Sequence, residues 1–292
     1  MTRKRAIVFV LLSALLWSLG GVLIKQVQLH PVAIAGYRSF ITAVFLSFFL
    51  PARNTHWNRL QVFNALAYVG TVVTFVIANK MTTAANAILL QYTAPIWVAV
   101  LGIWFLKERV RSIDWLALSA VLAGIVLFFK DEISAAQRWG DLAALLSGFC
   151  FAWFVMLLRK GHEQSPLRAV FLGNILTTLL SLPFLVQAFP DMKSLFFLLV
   201  LGVVQLGLPY LLYTKAVSHV TALESILIMC LEPIANPILA LVFIGEKPGF
   251  WSAVGGTIVL IAVTLRSISM VQEKTGGPDA QEAPVAIIKP EG

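Results

Sequence analysis

The sequence predicts an all-α polytopic membrane protein, with ten transmembrane helices in two inverted five-helix repeats. Three observations favour this fold class. Of the 292 residues, 59% are hydrophobic and 12% are charged, whereas soluble domains carry about 25% charged residues. Apolar runs of about 20 residues, the length that a bilayer requires, follow one another along the chain. The two halves of the chain also share a sequence pattern.

Ten apolar segments can be marked in order, separated by short connections that contain turn-forming residues. They span residues 6–25, 31–50, 60–79, 83–106, 113–129, 141–158, 167–188, 194–215, 221–244 and 250–270. A helix over each segment would satisfy its own backbone hydrogen bonds inside a bilayer. The remaining residues, 271–292, are polar and contain several prolines, and they are predicted to form a disordered cytoplasmic tail.

The first segment follows a basic N-terminus, Met1 to Arg5, and has two interpretations. A basic start before an apolar run is typical of a signal peptide. The run continues to Ile24 with no small-residue cleavage site before the next segment. This continuity favours a retained first transmembrane helix.

Loop charges predict the orientation in the membrane. Lys and Arg number 15 on the side that carries the N-terminus and 6 on the opposite side, and cytoplasmic loops carry the excess of these residues. With an even number of spans, both termini are predicted to be cytoplasmic. The net charge of +8 does not indicate nucleic-acid binding, because the basic residues are spread over short loops.

The two halves of the chain form a tandem repeat. The run from Pro31, PVAIAGYRSFITAVFLSFFL, corresponds to the run from Pro166, PLRAVFLGNILTTLLSLPFL. The predicted repeats cover residues 1–130 and 139–270. Because each repeat holds five spans, an odd number, the halves enter the membrane from opposite sides. Inverted repeats of this kind place the substrate site near the bilayer midplane, at the repeat interface.

The fourth segment of each half carries a proline and a glutamate at the same spacing, Pro95 with Glu108 and Pro233 with Glu246. Pro233 lacks a backbone N–H and is expected to kink its helix. Glu232, directly before it, is a carboxyl group within an apolar segment. Such a group costs about 2.5–3.5 kcal/mol on insertion into hydrocarbon, so Glu232 is expected to face the protein interior or a wet cavity.

These features resemble the drug/metabolite transporter superfamily, in its ten-helix form built from two EamA-like repeats. The resemblance covers residues from about 6 to 270 and is carried by three features. These are the Trp17 region ending at Lys25, the two proline-centred fourth helices, and the Gly245-Glu246 pair. The first half departs from the pattern, with Lys107-Glu108 where the family often has Gly-Glu.

The resemblance implies a secondary transporter without enzymatic activity. Among family members, the chain is most similar to bacterial inner-membrane exporters of amino acids, including aromatic ones. Four helices of each repeat would surround a central cavity and work by alternating access. The fifth helix of each repeat would lie outside the cavity or at a homodimer face.

Polar and aromatic side chains within the apolar segments are the candidates for the substrate cavity. They are Trp17, Arg38, Tyr68, Asn79, Gln91, Tyr92, Trp153, Tyr210, Tyr213, Met229, Glu232 and Asn236. The two tryptophans lie near the middle of their segments, where a buried indole N–H needs a partner. Their depth favours an aromatic-lined cavity.

Several of these candidates keep a second interpretation. Hydrogen bonding between helices explains the amides as well as ligand contact does. Arg38 either snorkels to the interface or lines the cavity wall. Glu232 and Glu224 are the candidates for proton coupling, although Glu224, near a helix start, also suits the helix dipole.

Three kinds of function remain after this reading. Transport of a small amphipathic metabolite such as an amino acid is favoured. Efflux of cationic or aromatic toxic compounds is the alternative, because an acid among aromatic rings suits a cation. An intramembrane enzyme is the remote alternative, because it needs clustered nucleophiles, bases or metal ligands. No cofactor is predicted, since the chain has neither a Walker motif nor metal-ligand spacing, and Cys150 and Cys230 lie in apolar runs.

Overall fold

The fold was analysed in a computed structural model of the chain. The structure describes residues 1–50, 59–105, 112–128, 130, 135–160, 166–187, 189–216, 219, 228–229 and 231–276. Every regular element among these residues is helical. The predicted all-α class is therefore confirmed.

The α-helices of the described residues are numbered in chain order. They are α1 (Arg3–Ser18), α2 (Gly20–Gln26), α3 (Pro31–Ser47), α4 (Arg59–Met81), α5 (Ala84–Gln91), α6 (Ala94–Phe105), α7 (Ser112–Phe128), α8 (Ala135–Lys160), α9 (Pro166–Leu185), α10 (Met192–Leu199), α11 (Leu208–Ala216), α12 (Leu231–Ile244) and α13 (Phe250–Gly276). A π-helical stretch, Val200–Gly207, joins α10 to α11 without a break.

Six of the described helical stretches are long and apolar enough to cross a membrane. Four shorter apolar helices, of 10–17 residues, accompany them. The polytopic membrane class is confirmed, and the count of ten spans stays a prediction. Helix α13 continues to Gly276, past the predicted boundary at 270, and residues 277–292 lie outside the described residues.

Apolar side chains cover the outside of the bundle, as a bilayer requires. Leu180 on α9 is 55% exposed and Val242 on α12 is 71% exposed. A monomeric soluble protein rarely presents a continuous apolar surface of this extent. The polar side chains described below lie inside the bundle, where they contact one another.

Capping side chains define two helix starts that matter for function. Thr83 accepts a hydrogen bond from the N–H of Asn86 at 3.1 Å and begins α5. Asp191 accepts one from the N–H of Ser194 at 3.1 Å and begins α10. In both cases a side-chain oxygen satisfies an N–H that has no partner within the helix.

A glycine ends α12 and fixes the position of the residue after it. Gly245 has a φ of +68°, a left-handed conformation that glycine adopts without a steric penalty. Its N–H donates to the carbonyl of Leu241 at 3.1 Å, which terminates the helix in the usual αL manner. The chain then turns, and Glu246 is placed at the end of the bundle.

Two of the predicted spans are interrupted. Leu19 separates α1 from α2, and Tyr92 and Thr93 separate α5 from α6. Irregular backbone at membrane depth is tolerated where protein buries it or where it lines a cavity. Both interruptions therefore point toward the interior of the bundle as the place of a site.

The helix contacts follow a symmetric pattern. Each of the main contacts either joins equivalent segments of the two halves of the chain or has a counterpart in which the equivalent segments of the other half take part. Helix α3 packs against α9 and α7 against α13, and these are equivalent segments of the two predicted repeats. Helix α4 packs against α8 as α11 packs against α1, and α5 contacts α12. A two-fold relation between two repeats would produce this pairing.

Small residues allow two of these contacts to be close. A Cβ on Gly36 of α3 would lie 2.5 Å from the Cβ of Ser181 on α9. On α7, a Cβ on Gly124 would lie 2.8 Å from the carbonyl oxygen of Gly255 on α13. Association through small residues is typical of helices in membranes.

Candidate functional site

Polar and aromatic side chains from both halves of the chain converge inside the bundle. We call this group the central cluster. Its members are Trp17, Arg38, Tyr68, Asn174, Gln205, Tyr210 and Tyr213. Arg38 and Tyr68 are 2% and 1% exposed, so a charged group lies deep in an apolar fold. Arg38 therefore does not snorkel to the interface.

Arg38 is held by one side-chain partner. Its Nη1 donates to Gln205 Oε1 at 3.5 Å, a long hydrogen bond. Its buried Nε has no partner among the described residues. The amide Nε2 of Gln205 in turn donates to the carbonyl of Trp17 at 3.2 Å. Gln205 thus links the guanidinium to the last turn of α1, next to the interruption at Leu19.

Gln205 lies in the π-helical stretch Val200–Gly207, whose backbone makes contacts with α3. A π-helix bonds each N–H one residue further back than an α-helix does, and such stretches are frequent at functional sites. The hydroxyl of Thr42 on α3 lies 2.8 Å from the carbonyl of Gly202 and 2.9 Å from that of Arg38. This contact fixes the turn of α3 that carries Arg38 against the π-helical turn.

Aromatic rings form one wall of the central cluster. Trp17 contacts Tyr210 at a centroid distance of 5.1 Å and Tyr213 at 5.7 Å. Tyr210 contacts Tyr68 at 6.3 Å, and the Tyr68 hydroxyl accepts a hydrogen bond from Asn174 Nδ2 at 2.9 Å. The hydroxyls of Tyr68 and Tyr210 lie within electrostatic range of Arg38. The ring faces make most of this wall apolar, and the tyrosine hydroxyl groups make its edges polar.

Glu232 lies on α12, directly before Pro233. The Tyr92 hydroxyl lies 2.9 Å from Glu232 Oε2 and 3.0 Å from the carbonyl of Met229. Tyr92 is at the interruption between α5 and α6, so the two proline-centred segments meet here. Tyr210 lies within electrostatic range of both Glu232 and Arg38, which connects Glu232 to the central cluster.

Other predicted residues lie apart from the central cluster. Gln91 donates to Ser147 Oγ at 2.7 Å, and Asn79 donates to the carbonyl of Phe75, on its own helix, at 2.9 Å. Asn236 is buried, and neither of its amide atoms has a partner. Its Oδ1 would lie 2.7 Å from a Cβ on Gly21.

Three predicted residues remain to be placed. Trp153 contacts Phe105 at a centroid distance of 5.1 Å, within an aromatic group separate from that of Trp17. The side chain of Met229 packs against the small apolar group around Val10. Glu224 lies outside the described residues.

A second polar group closes one end of the bundle. We call this end the distal face and define it by Lys25, Lys80, Thr82, Asp141 and Glu246. Lys25 Nζ donates to Glu246 Oε1 at 2.5 Å and to the carbonyl of Thr82 at 2.7 Å. Glu246 Oε2 accepts a hydrogen bond from the N–H of Ala84 at 2.8 Å. The ion pair therefore joins α2, the start of α5 and the residue that follows α12.

Further contacts extend the distal face around this ion pair. Asp141, fully buried near the start of α8, accepts hydrogen bonds from Thr82 Oγ1 at 2.6 Å and Asn86 Nδ2 at 3.1 Å. Lys80 Nζ donates to the carbonyl of Val27 at 2.9 Å. Five helices are thus tied together at one end.

The opposite end of the bundle holds a cavity of about 540 Å³. We call it the terminal face and define it by Arg59, Phe105 and Lys160, at the ends of α4, α6 and α8. The cavity is lined by Arg59, Leu60, Phe63, Ala67, Phe105, Trp153, Leu157 and Lys160. Its rim is cationic and its inner wall is apolar and aromatic.

Sequence analysis did not select Gln205, Asp141, Asn174 or the Lys25–Glu246 pair as site residues. Gln205 is a polar residue in the middle of an apolar segment, and this signal was sufficient to select it. Asp141 stands at a predicted segment boundary, where an acid is ordinary. The Lys25–Glu246 pair joins residues far apart in sequence, and only the fold brings them together. No cluster of three His, Cys, Asp or Glu side chains suited to a metal exists in the described part of the chain.

Comparison with known proteins gives concordant results. The chain matches the EamA-like transporter family over residues 4–130 and again over residues 138–268. An "Uncharacterized transporter" of Archaeoglobus fulgidus is 27% identical over 286 residues, which cover 89% of this chain and 96% of the relative. The "Threonine/homoserine exporter RhtA" of Salmonella typhimurium (strain SL1344) is 24% identical over 213 residues, 70% of each chain.

A solved crystal structure shares the fold, with a TM-score of 0.63 and 17% identity, over 93% of this chain and 99% of the other. The two family matches together span most of the chain, and they agree with its apolar helices and its interrupted spans. The chain therefore belongs to the EamA-like transporter family of the drug/metabolite transporter superfamily.

Proposed function

We propose that this protein is a secondary transporter of the bacterial inner membrane that exports small metabolites, amino acids foremost. Transport proceeds by alternating access around the central cluster. The carrying observation is that Tyr210 of the central cluster lies within electrostatic range of both the buried Arg38 and the carboxyl group of Glu232. A zwitterion with an apolar side chain complements such a site.

Two repeats, residues 1–130 and 139–270, form the framework of this proposal, with both termini in the cytoplasm. The matched helix contacts and the two successive family matches support the repeats. The Lys and Arg bias of the loops supports the orientation. An amino acid exporter among the relatives supports the substrate class.

Flux in proteoliposomes tests the proposal. Purified protein is reconstituted, its orientation is determined by protease access to the C-terminal end, and a panel of amino acids is loaded with and without a pH gradient. We expect saturable flux of one or more amino acids, well above protein-free vesicles. Absence of flux for every amino acid, from a protein that remains monodisperse, would contradict the function.

Glu232 has two roles within this proposal, and one variant separates them. If Glu232 carries the coupling proton, Glu232→Gln still binds substrate and loses only the flux driven by the pH gradient. If Glu232 binds the substrate's ammonium group, the variant loses about 1.5–3 kcal/mol of binding at every pH. Unchanged binding and unchanged flux would leave Glu232 with a structural role.

Efflux of lipophilic cations is the second candidate function. Its support is the half-buried Glu232 beside Tyr92 and near Tyr210, since a carboxylate among aromatic rings suits a cation. Competition between an amino acid and a lipophilic cation separates the two. A cation that binds more tightly than any amino acid would favour this candidate.

A further inference from the structure

We propose that Arg38 binds the carboxylate of the transported molecule through the Nε edge of its guanidinium. The inference rests on the proposed transport function and assigns the chemical group by which the substrate is selected. Its starting point is geometric. Arg38 is 2% exposed, and its buried Nε has no partner among the described residues.

A guanidinium in this position needs an anion. Removing a charged side chain from water costs several kcal/mol unless close partners compensate it. Arg38 has five N–H donors, and Gln205 accepts from one of them at 3.5 Å. No carboxylate of the described residues lies within ion-pair distance of Arg38. The fold therefore leaves a charged group prepared for a partner that arrives from outside the chain.

The free edge of Arg38 fits a carboxylate. Guanidinium groups pair with carboxylates through two parallel N–H···O bonds, which are shorter and stronger than bonds to neutral acceptors. A carboxylate bound in this way would use Nε together with Nη2, the terminal nitrogen on the same edge. Gln205 accepts from Nη1, on the other side of the guanidinium, and so leaves this edge open.

Gln205 connects the binding group to the interrupted first span. It accepts from Arg38 Nη1 and donates to the carbonyl of Trp17, two residues before the interruption at Leu19. Gly20, on the other side of the interruption, lies close enough that its added Cβ would be 2.9 Å from Gln205 Nε2.

The neighbouring groups define the rest of the substrate class. Trp17 and Tyr210 offer ring faces to an apolar or aromatic side chain. Glu232 lies within electrostatic range of Tyr210, and its carboxylate would be complementary to an ammonium group. The substrate is then an α-amino acid with an apolar or aromatic side chain, recognised first by its carboxylate.

The test compares phenylalanine with phenylalaninamide at about pH 6, below the pKa of about 7.7–8.0 that is usual for an amino group beside an amide. Under this condition phenylalaninamide keeps the shape and the ammonium group and lacks the negative charge. On the wild-type protein, we expect phenylalanine to bind about 10- to 100-fold more tightly, the range of a lost charged hydrogen bond. Arg38→Gln should bring this ratio close to one, and Arg38→Lys should leave an intermediate ratio. Arg138→Gln, which removes an exposed cation, is the matched control and should keep the wild-type ratio.

Gln205→Glu gives a second test that does not remove the buried charge. The new carboxylate would pair with Arg38 inside the fold, so the variant should melt at a higher temperature and bind phenylalanine at least tenfold more weakly. Equal binding of acid and amide by the wild type would overturn the inference even if Arg38→Gln fails to fold. Flux of amino acids without a preference for the carboxylate would overturn this assignment alone, whereas absence of all amino acid flux would overturn the proposed function.

Discussion

The distal and terminal faces of the bundle differ in how they are closed. At the distal face, the Lys25–Glu246 ion pair and the Asp141 hydrogen bonds tie five helices together. At the terminal face, the described ends of α4, α6 and α8 line a cavity of about 540 Å³. Among the described residues, one end of the bundle is thus joined by specific polar contacts, and the other end holds a cavity.

This difference indicates which contacts must change during transport. A carrier that alternates between two states has to break the contacts that close one face while it closes the other. The charged hydrogen bonds at the distal face are suited to opening and closing in this way, because they are directional and are lost together. Apolar contacts at the terminal face can re-form with many geometries. The distal ion pair is therefore the contact whose loss should matter most.

The largest effect is expected from reversing one charge of the distal ion pair. Lys25→Glu places two carboxylates together beside the N–H of Ala84 and the carbonyl of Thr82. Breaking the pair costs about 1–3 kcal/mol, between the values for exposed and buried pairs, and repulsion adds to this cost. We expect flux in proteoliposomes to fall at least tenfold.

The double variant Lys25→Glu with Glu246→Lys is the control for that reversal. It restores the ion pair with its charges exchanged, while the backbone partners stay the same. The carbonyl of Thr82, which accepts from Lys25 in the wild type, would then face a carboxylate, and the N–H of Ala84, which donates to Glu246, would face an ammonium group. We therefore expect partial recovery of flux. Full recovery would show that the backbone contacts are unimportant, and no recovery would show that the pair itself does not close the distal face.

A smaller effect is expected from filling the tight contact near the distal face. A Cβ on Gly21 would lie 2.7 Å from the Cβ of Ala84 and 2.7 Å from Asn236 Oδ1. Gly21→Ala should destabilise the protein by about 1–3 kcal/mol, the usual cost of overpacking, which a melting curve in detergent would detect. Gly20→Ala meets the flexible amide of Gln205 instead, so it should cost less. Equal melting temperatures for the two variants would contradict the close packing of α2 on α5.

The smallest effect is expected at the rim of the distal face. Hydrogen bonds from the side chain and the N–H of Ser194 hold the pKa of the Asp191 carboxyl below its usual range. Its stabilising effect is present above the unfolded-state pKa of about 3.9 and is lost as pH falls through the lower folded-state pKa. Asp191→Ala should lower the melting temperature slightly at pH 7, and the difference from wild type should shrink below about pH 4. A difference that stays constant with pH would rule out the carboxylate as its source.

Much of the fold was predictable because apolar length and the tandem pattern are local properties of the sequence. Arg38, Tyr68, Tyr210 and Trp17 were also predictable, since each interrupts an apolar run. Their convergence was not, because it depends on contacts such as Arg38–Gln205, between residues 167 positions apart. The separation of Trp153 from Trp17 has the same cause.

The kink expected at Pro233 stays a prediction. Residues 228–229 and Leu231–Ile244 are all helical, and position 230 between them lies outside the described residues. The contact of Glu232 with Tyr92 depends on the meeting of two distant segments, which the sequence alone does not give.

The most direct test of alternating closure measures both faces in one protein. Spin labels at Gln28 and Lys247 report on the distal face, and labels at Arg59 and Lys160 report on the terminal face, in a background without Cys150 and Cys230. Pulsed electron–electron double resonance then measures the distance between the two labels of each face. The distances are compared between the wild type and the doubly neutralised variant Lys25→Gln with Glu246→Gln. We predict that the distal distance lengthens and the terminal distance shortens. A terminal distance that stays unchanged while the distal face opens would contradict the coupling of the two faces.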